Sequence, residues 1–444
     1  MKFLAILRDS VREAIDSKVF FVMLGLSGVM IAVAFTLSFK PRPAEELFKL
    51  LIYPLNTDLS DLTPEKLKRI GSFPSQGGLH VYDLKGAEPL HGDPDGPGSD
   101  FSVILAAKYT KPEEAEKVKR DPQETLDMLQ KRFGAFDELR VVEVTKVQLA
   151  PPDNHFLPEK TEPKELYFEL TTHPTGVTRR LWPHEPSVLF GAFSMSFLKD
   201  IPLGLQLYVI EDTVINGFGA WLAILLSIVI TSFFIPNMLR KGTVDLLLVK
   251  PIRRSILLVM KYWGGLVFIF LNTAFVVFGM WLAVGLRAGI WSTGLLLTGL
   301  VITFFFAILY AVSTLFAVLT RSTIVAILMS CFAWGFLFVM GFAYQLVDRD
   351  YQAKKTEYSA RGDEYSENAF YKGVRVVHFV LPRTRDLDVL TSRLLIRDLL
   401  TANQIREQKL DPTPISWGES ITVSCVFIVV LLGFSCWWFA TKDY

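Results

Sequence analysis

The stretch Pro236–Tyr262 reads PNMLRKGTVDLLLVKPIRRSILLVMKY and separates two long apolar runs. Runs of that length cross membranes as helices, so the stretch is a connection at one membrane surface. Six of its residues are basic, namely Arg240, Lys241, Lys250, Arg253, Arg254 and Lys261, whereas Asp245 is its single acid. Short connections this rich in Lys and Arg remain in the cytoplasm. We therefore expect this loop to be cytoplasmic.

Within the loop, an apolar run from Val244 to Val249 carries the signals of a short helix. Thr243 suits the N-cap, and Asp245 then lies in the first turn, where the helix dipole favours an acid. The run ends at Lys250-Pro251, because the residue before a proline disfavours helix and Pro251 suits the first turn of the next one. The predicted helix has about six residues and is ~9 Å long. It is too short to be stable without a surface to pack on.

Two interpretations of this short helix remain. In the first, it lies on the lipid surface and covers the floor of its own membrane bundle. In the second, it is a coupling helix that docks into a groove of a cytoplasmic partner, with Leu246, Leu247 and Leu248 as the apolar contacts. Arg253 and Arg254 then pair with acidic groups of the partner or with anionic lipid.

The order of residues in this loop resembles the cytoplasmic loop of type-2 ABC-transporter permeases. Those loops have a basic residue, Gly-Thr, an acid, three leucines, and then Pro-Ile and an arginine. The residues that match here, and that the resemblance identifies as the contact with an ATPase, are Arg240, Lys241, Gly242, Thr243, Val244, Asp245, Leu246, Leu247, Leu248, Lys250, Pro251, Arg253 and Arg254. Asp245 stands where the family commonly has Glu.

The composition indicates an α-helical polytopic membrane protein. The chain has 444 residues, of which 51% are hydrophobic. Its long apolar runs predict six membrane-spanning helices, at Val19–Phe39, Val214–Ile235, Trp263–Leu286, Trp291–Leu319, Ile324–Val347 and Trp417–Ala440. The net charge of +1 and the lack of a basic tail give no indication of nucleic-acid binding. The three cysteines all lie in apolar runs and predict neither a disulfide framework nor a metal site.

The basic residues orient these spans with both termini in the cytoplasm. Residues 1–18 carry four Lys or Arg, and the 236–262 loop carries six, whereas the turn between the third and fourth spans has only Arg287. Residues 1–18 also place Leu4, Leu7, Val11 and Ile15 at helical spacing, which predicts an amphipathic helix on the cytoplasmic surface. We expect a multi-pass protein of the plasma (inner) membrane.

The segment 40–213 is polar, charged and rich in Pro and Gly, and it is long enough for a domain with its own core. Strand patterns occur at Leu79–Leu84, Phe101–Tyr109, Leu139–Leu149 and Leu166–Leu170, and a helical pattern occurs at Glu113–Phe133. We predict an α+β extracytoplasmic domain inserted between the first two spans.

A second outer segment, 348–416, begins with a solvated cluster of charges. Further along it, Leu387, Leu390, Leu394, Leu395 and Leu399 mark an amphipathic helix. The predicted organisation is an interfacial helix (1–18), span one (19–39), the α+β domain (40–213), spans two to five with the 236–262 loop (214–347), the second outer segment (348–416), span six (417–440) and a cytoplasmic tail (441–444).

Several chemical classes are excluded by what the sequence lacks. It has no G-x-x-x-x-G-K-[S/T] motif, so it does not hydrolyse ATP through a P-loop of its own. It has no convincing nucleophile–His–acid motif and no pair of histidines at metal-ligand spacing. The predicted spans contain almost no ionisable side chains, which argues against a proton-coupled carrier and favours an energy source outside the bilayer.

The resemblance extends to the interfacial helix, the first span, the position of a large outer insertion, the loop after span two and the outer helix between spans five and six. It covers the membrane part of the chain and not the outer domain itself, whose size departs from the commonest pattern of the family. It implies a non-catalytic permease subunit of an ATP-driven transporter, usually an exporter, with no cofactor in this chain because ATP binds the partner. The implied assembly has two permease chains, as a homodimer or a heterodimer, and two cytoplasmic ABC ATPase subunits, in contact with membrane lipid. The alternatives are a polytopic membrane sensor or envelope scaffold that acts through its outer domain, and a membrane-embedded enzyme, which would need clustered histidines or acids.

Overall fold

The computed structural model describes residues 18–56, 79–91, 98–109, 111–133, 142–158, 164–175, 178–199, 201–239, 253–361, 369–401, 404–405 and 416–442. The chain divides into two compact units. One unit is Leu37–Leu207, and the other consists of Met1–Thr36 and Tyr208–Tyr444. Each unit has its own hydrophobic core. The predicted interfacial helix 1–18 lies almost entirely outside the described residues.

The first described helix, α1 (Lys18–Phe35), precedes the Leu37–Leu207 unit, which contains strands and short helices. In chain order these are β1 (Ser38–Pro41), α2 (Ala44–Asn56), β2 (Leu79–His91), β3 (Asp100–Tyr109), α3 (Pro112–Arg120), α4 (Gln123–Phe133), β4 (Val142–Leu149), β5 (Glu165–Pro174), α5 (Thr178–Leu181), β6 (His184–Val188), β7 (Phe193–Ser194) and a 3-10 turn (Ser196–Leu198). The strands form two antiparallel sheets, of order β2-β3-β5-β4 and β1-β6-β7.

The core of this unit forms where the larger sheet meets α2 and the segment before β6. Phe48, Phe101 and Trp182 are almost completely buried, and the rings of Phe101 and Trp182 lie 5.5 Å apart. The indole nitrogen of Trp182 donates to the carbonyl of Arg42 at 2.8 Å, so its polar group is satisfied inside the core.

The four predicted strand patterns lie in strands of the larger sheet as far as they are described, although β2 extends to His91. Residues 139–141 of the third pattern lie outside the described residues. The predicted single helix Glu113–Phe133 is wrong, because α3 ends at Arg120 and α4 begins at Gln123. The interruption is at Asp121-Pro122, where the proline ring disfavours helical conformation in the residue before it.

The second unit is helical. After α1 it contains α6 (Leu203–Ile215, whose first five residues belong to the other unit), α7 (Phe218–Thr231), α8 (Phe234–Met238), α9 (Arg254–Ala288), α10 (Thr293–Thr320), α11 (Thr323–Arg361), α12 (Ala369–Val380), α13 (Thr384–Leu399) and α14 (Trp417–Thr441). Among the described residues, four helices are long and apolar enough to cross a membrane, at Arg254–Ala288, Thr293–Thr320, Thr323–Lys355 and Trp417–Thr441. They correspond to predicted spans three to six.

The first two predicted spans correspond to the shorter apolar helices Phe20–Phe35 and Ala223–Met238. The boundary at Phe39 is wrong, since α1 ends at Phe35 and β1 begins at Ser38. The boundary at Val214 is also wrong, because that residue belongs to α6, and a new helix begins after Gly217.

The segment 348–416 is more helical than its charges suggest. Helix α11 continues to Arg361, well past the predicted end of span five at Val347. Helix α12 (Ala369–Val380) has no counterpart in the sequence analysis, whereas the predicted leucine-rich helix is α13.

Helix α10 is the central element of this unit and packs against α9, α11, α13 and α14. Two glycines allow the closest approaches. A Cβ built at Gly265 of α9 would lie 2.6 Å from the Tyr310 hydroxyl oxygen, and one built at Gly294 of α10 would lie 2.1 Å from the carbonyl oxygen of Leu394 in α13. Larger residues at these positions would force α9 and α13 away from α10.

Candidate functional site

Most of the predicted coupling residues lie outside the described residues, namely Arg240, Lys241, Gly242, Thr243, Val244, Asp245, Leu246, Leu247, Leu248, Lys250 and Pro251. Arg253 and Arg254 are described, at the start of α9. Arg253 has an extended backbone (φ −62°, ψ 135°) and is exposed. The Nη1 of Arg254 donates to the carbonyl of Lys442 at 3.0 Å. The exit of the loop is therefore bound to the end of α14.

Both ends of the 240–252 loop are attached to one buried apolar cluster, which we call the loop anchor. It joins α8 and the residue after it to the first turns of α9, the last turns of α10, the start of α11 and the end of α14. Its buried members are Ile235, Met238, Leu239, Leu257, Leu258, Ala317, Val318, Ala326 and Phe439. Close-packed interiors transmit displacement rather than absorb it. The residues on either side of the loop therefore pack against the ends of all four long apolar helices.

An aromatic stack follows the loop anchor at the contact between α9 and α10. The ring of Tyr262 stacks on that of Tyr310 with centroids 5.0 Å apart, and Tyr310 stacks on Phe306 at 5.3 Å. The Tyr262 hydroxyl donates to the carbonyl of Ala307 at 2.8 Å. Lys261, which the sequence analysis counts among the basic loop residues, is buried within α9.

A small cavity of about 70 Å³ lies among α1, the end of α6, α7, α9 and α10. Most of its lining is aliphatic. Its polar side chains include Ser27 and Asn272, and the Ser27 hydroxyl donates to the Asn272 carbonyl oxygen at 3.2 Å. Such a volume holds roughly two water molecules.

A network of polar side chains joins the end of α6 to α13. One carboxylate oxygen of Asp212 accepts hydrogen bonds from Asn216 and from Ser392, both at 2.7 Å. The Thr391 hydroxyl donates to the Asn216 carbonyl oxygen. Burial raises the pKa of Asp388 to about 6 despite the nearby Arg385 guanidinium. This network fixes α13 against the segment that precedes α7.

Glu211 lies beside this network and is completely buried. Neither of its carboxylate oxygens has a hydrogen-bond partner among the described residues. Burial, with a smaller contribution from the nearby Asp398 carboxylate, raises the pKa of Glu211 to about 8. Glu211 is therefore neutral at pH 7. Asp398 itself caps α10, because its Oδ2 accepts from the Gly294 backbone nitrogen at 2.6 Å and from the Thr293 hydroxyl at 2.8 Å.

Neither Glu211 nor Asp398 was predicted from the sequence, because both lie outside the predicted spans, where buried charge is most informative. The signal was present, since Glu211 interrupts an apolar run in Leu203–Ile215.

A family model described as an ABC-2 family transporter protein matches residues 87–444. The match includes α6 to α14 and therefore the loop, its anchor and the polar network. The chain belongs to the ABC-2 transporter family. It is a multi-pass membrane protein and a membrane component of an ABC transporter, and members of this family typically work with a cytoplasmic ATPase.

The match of this ABC-2 chain begins within β2, so it also includes most of the strands of the Leu37–Leu207 unit. Helix α1 lies outside the matched residues. No curated protein and no solved structure matches the chain.

Proposed function

We propose that this chain is the permease subunit of an exporter in which a separate cytoplasmic ATPase supplies the energy. ATP hydrolysis on that subunit drives a substrate through a membrane domain of six spans. The observation that carries the proposal is the loop anchor, because a basic loop held at both ends by the packed ends of the spanning helices is suited to receive a force. Family membership supports the same conclusion.

In the proposed arrangement the six spans are α1, α7 with α8, α9, α10, α11 and α14. The chain lies in the plasma membrane. Its two termini and the 236–262 loop face the cytoplasm, in agreement with the distribution of Lys and Arg. The Leu37–Leu207 unit is then on the opposite side. Two permease chains, identical or different, assemble with two ATPase subunits.

The coupling contact in this proposal is the segment Val244–Val249. Leu246 and Leu247 enter an apolar groove of the ATPase, with Leu248 beside them. The two arginines that follow have different roles. Arg254 binds the Lys442 carbonyl within the chain, whereas the exposed Arg253 is available to acidic groups of the ATPase.

The test is purification of the tagged chain from its native membrane in a mild detergent. We expect an ABC ATPase to co-purify and to hydrolyse ATP in the complex. The chain freed of that subunit should show no ATP hydrolysis above background. ATP turnover by the isolated chain that survives removal of contaminating ATPases would contradict the proposal, and so would the absence of any ATPase from the purified complex.

One observation favours the alternative of an envelope scaffold acting through the Leu37–Leu207 unit. Phe190, Phe193 and Phe197, around the turn between β6 and β7, are 72%, 66% and 79% exposed. Exposed apolar side chains grouped in this way mark interaction surfaces. Replacing the three phenylalanines with serine should release an envelope partner in the scaffold alternative. In the permease proposal the same variant retains the ATPase.

A further inference from the structure

A polar cavity of about 380 Å³ lies where α12 and α13 meet α11 and the start of α14. We call it the arginine cavity. Four arginines and three acids line it, namely Arg349, Arg375, Arg383, Arg385, Asp348, Asp386 and Glu419. Arg385 is also paired with Asp388, an acid outside this lining, at 3.5 Å. Burial lowers the pKa of His378, another lining residue, to about 4, so this imidazole is neutral at pH 7.

Two of the arginines are held in position by hydrogen bonds. The Nη1 of Arg383 donates to Glu419 at 3.2 Å, and the Nε of Arg385 donates to Gln345 at 3.2 Å. The Nε of Arg383 is buried and has no acceptor among the described residues. Buried donors are normally satisfied by protein or by ordered water, so the Arg383 guanidinium keeps hydrogen-bonding capacity beside the cavity.

The other two arginines, Arg349 and Arg375, are exposed. Arg349 makes no ion pair with another described residue. Guanidinium groups bind phosphate oxygens through paired hydrogen bonds in a fixed geometry. An anion that enters the cavity would thus meet two positioned guanidinium groups and two on exposed side chains.

Beside these charges is an apolar surface that is exposed among the described residues. Val376, Phe379 and Val380 of α12 are exposed, as are Phe342 and Leu346 of α11. Within the cavity wall, the ring of Tyr344 stacks on that of His378 at 3.7 Å. Because α11 is one of the membrane-crossing candidates, exposed apolar side chains along it are suited to acyl chains rather than to water.

We propose that the arginine cavity binds the phosphate group of a phospholipid, whose acyl chains lie on the exposed apolar side chains of α11 and α12. The cavity volume is within the usual range for a small-molecule site. A soluble phosphorylated molecule shares the charged part of this chemistry but not the apolar part.

The test uses the full chain purified in detergent and titrated with short-chain phosphatidylglycerol, with diacylglycerol of the same chain length, and with inorganic phosphate, each followed by calorimetry. Phosphatidylglycerol should bind at one site. Diacylglycerol and inorganic phosphate should each bind at least ~10-fold more weakly, because each lacks one half of the ligand. Equal affinity for diacylglycerol would overturn the proposal, and equal affinity for inorganic phosphate would overturn the assignment to lipid.

Matched variants locate the site. Arg349→Gln and Arg375→Gln change exposed residues, so both proteins should fold, and each should weaken phosphatidylglycerol binding by ~10-fold through loss of a charge-assisted contact. Lys372→Gln removes the same charge from an exposed residue of α12 that does not line the cavity. It should change the affinity by less than about twofold. Unchanged binding in both arginine variants, or an equal loss in Lys372→Gln, would overturn the proposal.

Discussion

Replacing Gly265 with alanine tests the packing of α9 on α10 directly. The added Cβ would lie 2.6 Å from the hydroxyl oxygen of Tyr310 and 2.7 Å from its Cε1. The ring of Tyr310 has little room to move, because it is fully buried and stacks on both Tyr262 and Phe306. The substitution must therefore displace either the aromatic stack or the helix itself.

The cost follows from two opposing effects. Inserting a methyl group into a packed core lowers the free energy of unfolding by ~1–3 kcal/mol, whereas alanine in place of glycine in a helix raises it by ~1 kcal/mol. Gly335 of α11 supplies a matched control, since a Cβ added there has no atom within 4 Å. Gly335→Ala therefore keeps the stabilisation from replacing a helical glycine but introduces no steric clash. The two variants should thus differ by ~1–3 kcal/mol.

The assay is thermal unfolding of the purified chain in one detergent, with Gly265→Ala unfolding at a lower temperature than Gly335→Ala. A double-mutant cycle then identifies the cause. Tyr310→Phe removes the nearest atom, so it should be less costly in the Gly265→Ala background than in the unsubstituted chain. Equal unfolding temperatures for the two alanine variants, together with additivity in the cycle, would refute this account of the α9–α10 contact.

Three further predictions concern other parts of the chain. Because burial raises the pKa of Glu211 from 4.5 to about 8, the folded chain keeps a proton that the unfolded chain releases. The thermal stability of the chain should fall as the pH is raised from 5 to 8, and Glu211→Gln should flatten that profile. An equally steep profile in the variant would contradict the raised pKa of Glu211. Asp398→Ala removes the acceptor that caps the Gly294 nitrogen. The loss should lower the free energy of unfolding by ~1 kcal/mol, measured by chemical denaturation. An unchanged free energy of unfolding would exclude this cap as a stabilising contact. Cysteines placed at Gly92 and Asp363 should react with an impermeant thiol reagent on intact cells and one at Gly242 should not, so that labelling at Gly242 would reverse the proposed topology.

Patterns within short stretches predicted much of the fold. Alternating apolar residues located the strands of the larger sheet, and leucines at helical spacing located α13, because both signals arise from one face of an element being buried. Apolar runs located the long helices α9, α10, α11 and α14. Their ends were less accurate, since α11 continues through charged residues to Arg361 and α1 gives way to β1 at Ser38.

Contacts between distant residues could not be predicted in this way. Asp398 caps a helix whose first turn is about a hundred residues earlier, at Gly294. The arginine cavity combines side chains of four helices, one of which, α12, was not predicted although its sequence is amphipathic. The coupling residues rest on a family resemblance and on the loop anchor, while the docking of Val244–Val249 stays a prediction.

The most direct measurement of the central claim is ATP turnover and ATPase retention in membranes that contain the Leu247→Asp variant. Burying one leucine contributes ~1.5–3 kcal/mol, and a buried carboxylate adds a desolvation cost. The variant should therefore bind the ATPase at least ~10-fold more weakly, since 1.4 kcal/mol is a factor of ten. Asp245→Asn is the control and should weaken it less, because a first-turn acid contributes only ~0.3–1 kcal/mol. A Leu247→Asp chain that inserts normally, keeps the ATPase and sustains full transport-linked turnover would show that the segment is a lipid-surface helix and would contradict the proposed coupling.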